Sequence, residues 1–369
     1  MTEGDKKYSG SLNSAMIDGP EGRAAQDYAN HFGEPGYDDI TKVYIHQKYD
    51  GYSEENQQSW RTLYDRQMAF LATHASGVYL SGARSINLVR DHIPYLEGQK
   101  SVNHFLQKLT GWQSRAVPGY LPAKTFFACL ARREFPTTVV IRPKESLDYL
   151  PEPDIFHDIF GHVPLHADPV FADFLQTYGK AALLTNDPYH TERLARLFWF
   201  TVEFGLIRED GEIKLYGSGL ISSPGESKNA LFNDKVERRP FDLDTVCNTR
   251  FEIDHYQPIL YVLESFGQLR DAMNSYATRL IDEAYAKATA MLKEKRSVLD
   301  AMAQALLEYE TLDRGHVREL IEHGRVVNPP QTKPPMAPPP LPQTPSSEPP
   351  TPVRRDDRDG PLPGDLVPA

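Results

Sequence analysis

The stretch YLPEPDIFHDIFGHVPL, Tyr149–Leu165, places His157 and His162 five positions apart, with Gly161 and Pro164 beside the second ring. On an ideal α-helix, residues five apart are rotated by about 140° from one another and do not share a face as an i, i+4 pair does. Gly161 and Pro164 mark an irregular helix, in which two rings can still converge. Spacing alone reads first as two satisfied core histidines and second as ligands of one metal ion.

A carboxylate further on shifts that balance. In LARLFWFTVEFGLI, residues 194–207, Glu203 is surrounded by Phe198, Trp199, Phe200, Val202, Phe204, Leu206 and Ile207. A carboxylate on so apolar a helix either points to solvent or meets a strong positive partner, because an unpaired buried charge is costly. An arginine and a divalent cation serve equally well on this reading. Two neutral imidazoles and one carboxylate, with no thiolate in register, match the facial triad of non-haem Fe(II) oxygenases. A structural zinc site would be closed by four ligands, often including cysteine. The only cysteines, Cys129 and Cys247, stand far from the pair in sequence.

Composition sets the outer bounds. The 369 residues are 40% hydrophobic and 25% charged, as in a globular protein, and the formal charge is −11. That charge disfavours a general role on nucleic acid or anionic lipid. No run approaches 18 apolar residues, and the start MTEGDKKYSGSLNS lacks the apolar stretch of a secretion signal. Two cysteines make no disulfide framework, so a cytoplasmic, reducing compartment is expected.

Along the chain, residues 1–45 are polar and are expected to form a mobile arm. Helical spacing of apolar residues follows at Leu63, Met68 and Leu71, and again at Ile86, Leu88, His92 and Ile93. Two more helices are expected on either side of TGWQSRAVPGYLP, a strand at TTVVIRP, helix from Asp168 to Gly205, and a strand pair in GEIKLYGSGLISS. The expected fold is mostly α with a small β component, in a single catalytic domain over residues 46–275. An Ala-, Lys- and Glu-rich helical extension is expected over 276–327. Residues 328–369 hold half of the chain's 30 prolines and read as a disordered tail of polyproline II character. The tail is taken first as solvated chain and second as a PxxP ligand for a partner domain.

Four motifs, PEPDIFHDIFGHVPL, WFTVEFG, YGSGLISSPGE and QPILYVLESF, together resemble the pterin-dependent aromatic amino acid hydroxylases, and among them the bacterial phenylalanine 4-monooxygenases. The likeness runs from about Ser59 to Phe266. It implies that family's catalytic-domain fold and hydroxylation of L-phenylalanine to L-tyrosine with O2. It also implies Fe(II), a tetrahydropterin co-substrate (tetrahydrobiopterin or a bacterial analogue) and a pterin-recycling enzyme as a partner. Matched by position, His157, His162 and Glu203 are the iron ligands, and Arg142 is the arginine that grips the substrate carboxylate, a task suited to a planar fork. Trp199, Phe135 and Pro153 match the substrate pocket. Phe126, Gly119, Leu121 and Asp158 match the pterin site, and Ser222 matches a serine that hydrogen-bonds a ligand histidine.

Three positions depart from the animal members. Asp158 stands for a longer glutamate, Phe198 for a tyrosine and Leu150 for a threonine. These leave tryptophan or tyrosine open as the substrate. A second resemblance covers about Arg279 to Val327, which is similar to the last helical segment of the membrane-bound AAA+ zinc proteases. The HExGH motif and Walker loop of those proteases are missing, so neither proteolysis nor ATPase activity is implied. An oligomerisation helix is the other reading of that segment.

Overall fold

The structure is a computed structural model that describes residues 19–148, 153–251 and 255–330. The chain divides into two units, Met1–Thr289 and Ala290–Ala369. Within the first, the elements begin with α1 (Pro20–His31), α2 (Glu54–His74), α3 (Gly77–Ser85) and α4 (Val102–Leu109). A βαβ unit follows, made of β1 (Gln113–Val117), α5 (Ala123–Ala131) and β2 (Glu134–Thr138), with the two strands paired in parallel. Next come α6 (Pro169–Ala182) and α7 (Pro188–Phe198), then the hairpin β3 (Leu206–Glu209) and β4 (Glu212–Leu215). The remainder is α8 (Ser218–Ser222), α9 (Pro224–Phe232), β5 (Glu237–Pro240), α10 (Leu243–Asn248), β6 (Ile259–Leu263) and α11 (Phe266–Glu294). The second unit carries α12 (Arg296–Tyr309) and α13 (Arg314–His323), with Ala305 and Leu320 buried.

Local chemistry explains these boundaries. Ser53 and Asn56 form a capping box at the start of α2, and Asp168 and Asp187 cap α6 and α7, each followed by proline in the first turn. The β3–β4 hairpin turns on Asp210 and Gly211, both at positive φ, as a two-residue turn of matching twist requires. Its sheet has the order β4-β3-β6-β5, with β6 parallel to both β3 and β5. A mostly helical domain with a small sheet is therefore observed, as expected.

Several local expectations are corrected. The mobile arm expected over residues 1–45 contains α1, which buries Ala25 and Ala29. Ala29 packs with Val43, Val117, Leu121 and Cys129, and Gln26 Nε2 donates to the Tyr120 carbonyl at 3.0 Å. Residues 1–18 lie outside the described residues. The helical spacing of Ile86 to Ile93 does not form a helix, because Asn87 turns to φ 53° directly after α3. Gln113–Val117, expected as a loop, is a strand. The strand expected at TTVVIRP begins earlier, at Glu134, and ends at Thr138. The domain end expected at residue 275 falls inside α11, which still buries Tyr276 and Leu280. The tail expected over 328–369 lies outside the described residues from 331 onward.

Candidate metal centre

The segment Phe156–His162 is a π-helix, closed by i→i+5 hydrogen bonds rather than i→i+4. That closure brings residues five apart to the same side of the turn, which answers the spacing problem of the two histidines. His157 Nε2 and His162 Nε2 lie 3.2 Å apart. The turn is anchored at both ends. The buried Asp154 accepts the His157 backbone N–H at 3.0 Å, and the Tyr79 hydroxyl donates to the Phe160 carbonyl at 2.9 Å. Phe156 and Phe160 stack at 4.5 Å on the buried side.

Glu203 sits on a second π-helical turn, Trp199–Glu203, which continues directly from α7. The Phe204 N–H reaches the Trp199 carbonyl at 2.9 Å, an i→i+5 bond. The carboxylate meets the histidines, not an arginine: Oε1 is 3.2 Å from His162 Nε2, and Oε2 is 3.6 Å from His157 Nε2. Donors on adjacent positions around one ion, each at about 2.1 Å, stand about 3.0 Å apart. The two imidazoles and the carboxylate each bring a donor atom within 4.8 Å of the others, within reach of a single cation, and among the described residues this trio is the only such cluster.

The short helix α8 completes the support. Its backbone is pressed against both π turns: a Cβ on Gly217 would lie 2.4 Å from the Glu203 carbonyl oxygen, and one on Gly161 3.0 Å from the Ser218 oxygen. Glycine is required at Gly217, and at Gly161 a side chain would force the neighbouring backbone to give. The Ser222 hydroxyl donates to the Ser218 carbonyl at 2.8 Å and stands 2.8 Å from His157 Nδ1. A hydroxyl has one proton to give, so Nδ1 of His157 must be the donor to Ser222. Its Nε2 then carries the lone pair that a metal needs.

Electrostatics agree with this assignment. Burial lowers the His157 imidazole to about 4, against an opposing pull from Glu203, so the ring is neutral near pH 7. Burial works to raise Glu203, but His162, His157 and the Ser218 hydroxyl outweigh it and hold the carboxyl at about 2. Neutral imidazoles and an ionised carboxylate are the forms that bind a cation.

Arg142 lies behind the first π turn. Its Nε and Nη2 form a two-pronged pair with buried Asp154, both at 2.8 Å, and its backbone N–H donates to the same carboxylate at 3.0 Å. Burial works to raise Asp154, and the Arg142 contacts hold it below the usual carboxylate range. Asp154 therefore ties the position of Arg142 to that of His157.

The aromatic residues divide into two groups. Phe135 is buried, with its ring centroid 4.7 Å from that of His162, and Phe126 meets Phe135 edge-on at 6.2 Å. Trp199 stacks on Phe251 at 4.5 Å and donates its indole N–H to Gln257 at 3.1 Å. Pro153 is exposed just before Asp154. Gly119 and Leu121 flank Tyr120 beside α1, where Leu121 packs with Ala29, Val43 and Val117. Asp158 is buried and accepts from the Thr138 N–H at 2.7 Å and the Thr138 hydroxyl at 2.6 Å. Burial pushes its carboxyl up to about 7 despite those two bonds.

Asp154, Ser218 and Gln257 are among the supporting residues that escaped the sequence reading. Asp154 had a signal, since an aspartate three residues before a histidine that opens a helical turn suits a cap. The other two act across the fold and had none. A separate cavity of about 250 Å³ is lined by Tyr189, Arg193, Asp244, Tyr276 and Arg279. Its arginines pair with Asp244 and Asn248, which makes it an ion-pair network joining α7, α10 and α11.

A mostly helical domain that offers two imidazoles and one carboxylate to one cation defines the class of non-haem iron oxygenases. Comparison then narrows the class. The chain belongs to the biopterin-dependent aromatic amino acid hydroxylase family, whose profile matches residues 39–316. That match runs through α12 and ends in the first turn of α13. The chain is 43% identical over 231 residues to phenylalanine-4-hydroxylase of Ralstonia nicotianae, covering 63% of this chain and 73% of that protein. It is 46% identical over 236 residues to the enzyme of the same name from Mesorhizobium japonicum, covering 63% and 82%. Among solved structures it resembles phenylalanine hydroxylase from Chromobacterium violaceum with bound iron(III) and oxidised 7,8-dihydrobiopterin. That likeness has a TM-score of 0.61 and 41% identity, over 65% of this chain and 87% of the other. No helix of the described residues is long and apolar enough to cross a membrane.

Proposed function

We propose that the chain is a phenylalanine 4-monooxygenase that uses iron(II), a tetrahydropterin and O2 to convert L-phenylalanine to L-tyrosine. The observation that carries this reading is the convergence of His157, His162 and Glu203 on one point. Bound there, iron together with the reduced pterin supplies the activation of O2.

The chain's own residues do the rest. His157 and His162 each offer an imidazole Nε2, and Glu203 supplies one negative charge. Arg142 receives the amino acid's carboxylate, and the buried pair with Asp154 keeps its guanidinium from turning. Phe135, Trp199 and Pro153 wall the substrate ring and keep water out. Phe126 offers a face for pterin stacking beside Phe135, with Gly119 and Leu121 lining the pterin ring through their backbone. Asp158 meets the pterin through its hydrogen-bonded position at Thr138. Residues 46–275 supply every group assigned to the reaction, while α12 and α13 supply none. The spent pterin has to be reduced elsewhere, so a pterin-recycling enzyme is the functional partner. Two buried free cysteines suit a cytoplasmic setting.

The test is anaerobic reconstitution with Fe(II), followed by O2, a tetrahydropterin and, in parallel, phenylalanine, tyrosine or tryptophan, with products separated by chromatography. The expected result is tyrosine from phenylalanine as the fastest reaction, dependent on iron and pterin. A faster reaction of tyrosine or tryptophan would reassign the substrate within the family. Activity independent of O2 and supported by zinc would end the oxygenase reading.

A further inference from the structure

We propose that Ser218 decides how Glu203 holds the metal: its hydroxyl keeps Oε2 engaged, so that the carboxylate binds through Oε1 alone. This rests on the metal reading above and concerns a residue to which that reading gives no part.

The Ser218 hydroxyl is completely buried and has two acceptors within reach, Glu203 Oε2 at 2.9 Å and the Val202 carbonyl at 3.1 Å. It has one proton. A hydrogen bond to an ionised carboxylate is about twice as strong as one to a neutral carbonyl, so the proton goes to Oε2. The two carboxylate oxygens are thereby made unequal. Oε1 stands 3.2 Å from His162 Nε2, close to the spacing of neighbouring ligands around one ion. Oε2 is the oxygen that faces His157, 3.6 Å from its Nε2, and the one that carries the serine's proton. An oxygen that already accepts a hydrogen bond is the poorer donor of electrons to a cation.

Ser218 cannot easily let go. Gly161 approaches its backbone so closely that an added Cβ would lie 3.0 Å from the Ser218 oxygen, and the preceding Gly217 is pressed against the Glu203 carbonyl. Its own carbonyl accepts from Ser222, the hydroxyl that orients His157. One serine thus touches the carboxylate ligand directly and a histidine ligand through Ser222. It is a positioning residue, and a single ligating oxygen leaves one more place on the metal for small molecules.

Co(II) provides a stable, coloured probe for the test. Its affinity would be measured by calorimetry and its ligand-field spectrum recorded for the wild type, S218A, S218T, S222A and E203A, with thermal melting of each apo protein. S218A should weaken Co(II) binding roughly tenfold, the lower end of what loss of an outer-shell partner costs. Its bands should also shift toward a higher coordination number as Oε2 joins. S218T should restore the wild-type bands, and S222A should weaken binding without that shift. Wild-type bands and affinity in S218A, or the same shift in S222A, would overturn the proposal while leaving the metal site intact. If S218A does not fold, bands in S218T unlike those of the wild type overturn it as well. Co(II) bound by E203A as in the wild type removes the metal reading, and this inference with it.

Discussion

The two π-helical turns do the same job with unequal support. Phe156–His162 carries two ligands and is held from several directions: Asp154 at its start, Tyr79 on its last carbonyls, the Phe156–Phe160 stack beneath, and Ser222 on one ring. Trp199–Glu203 carries one ligand, and the carboxylate's fixed protein partner other than the histidines is a single hydroxyl, Ser218. The first turn is held by contacts from several elements, each acting on a different part of it. The second is held by the Ser218 hydroxyl on its carboxylate, the Trp199–Gln257 bond at its start and aromatic packing. Rigidity is concentrated where two rings must meet, and adjustability where one carboxylate must bind.

The largest effects should come from the ligands themselves, in either turn. His157→Ala, His162→Ala and Glu203→Ala are each expected to abolish stoichiometric iron binding and hydroxylation, read by metal analysis and product formation. One tightly held iron per chain in any of them would remove that residue from the trio. Next comes the anchor of the first turn. Asp154→Ala removes the buried acceptor shared by the Arg142 fork and the His157 N–H and should destabilise the fold by about 3–5 kcal/mol in chemical denaturation. A loss below about 1 kcal/mol would show that the anchor is redundant.

Smaller effects separate binding from metal holding. Arg142→Lys loses the two-pronged geometry and should raise the KM for the amino acid while iron content stays normal. An unchanged KM would place the carboxylate elsewhere. Ser222→Ala should weaken iron binding roughly 10–100-fold by freeing the His157 ring to turn, and an unchanged affinity would make that hydroxyl incidental.

The smallest concerns His166, four residues beyond the first turn. Its ring is completely buried between Trp112 and Phe135, and among the described residues neither nitrogen has a hydrogen-bond partner. Burial holds its imidazole well below the usual 6.5. The unfolded chain takes up a proton below about 6.5 that the folded ring refuses, so His166 costs stability as the pH falls through that range. His166→Phe should leave stability at pH 7.5 nearly unchanged. Below pH 6.5 it should gain on the wild type by at most about 1.4 kcal/mol per pH unit. Parallel stability curves for the two proteins would contradict this.

The trio was legible in sequence because its chemistry is local: two histidines in one short segment and a lone carboxylate among aromatic residues. The means of convergence was not. A single five-residue spacing permits a π-helix but does not demand one, and that preference comes from packing against α8. The helix α1 was hidden because its buried face is mostly alanine, which hardly raises apolar content. β1 was hidden because QSRAV carries an arginine and pairs only with β2. The true extent of α11 was masked by a change in composition, which is not a break in a helix: Tyr276 and Leu280 are still buried beyond it. Support that comes from across the fold, as with Ser218 and Gln257, leaves no mark in the local pattern.

X-ray absorption at the iron edge of Fe(II)-loaded protein tests the central claim most directly. The account predicts one iron per chain, two imidazole nitrogens, light-atom ligands near 2.1 Å and no sulfur. A thiolate shell at about 2.3 Å, a third imidazole, or no tightly bound iron at all would contradict it.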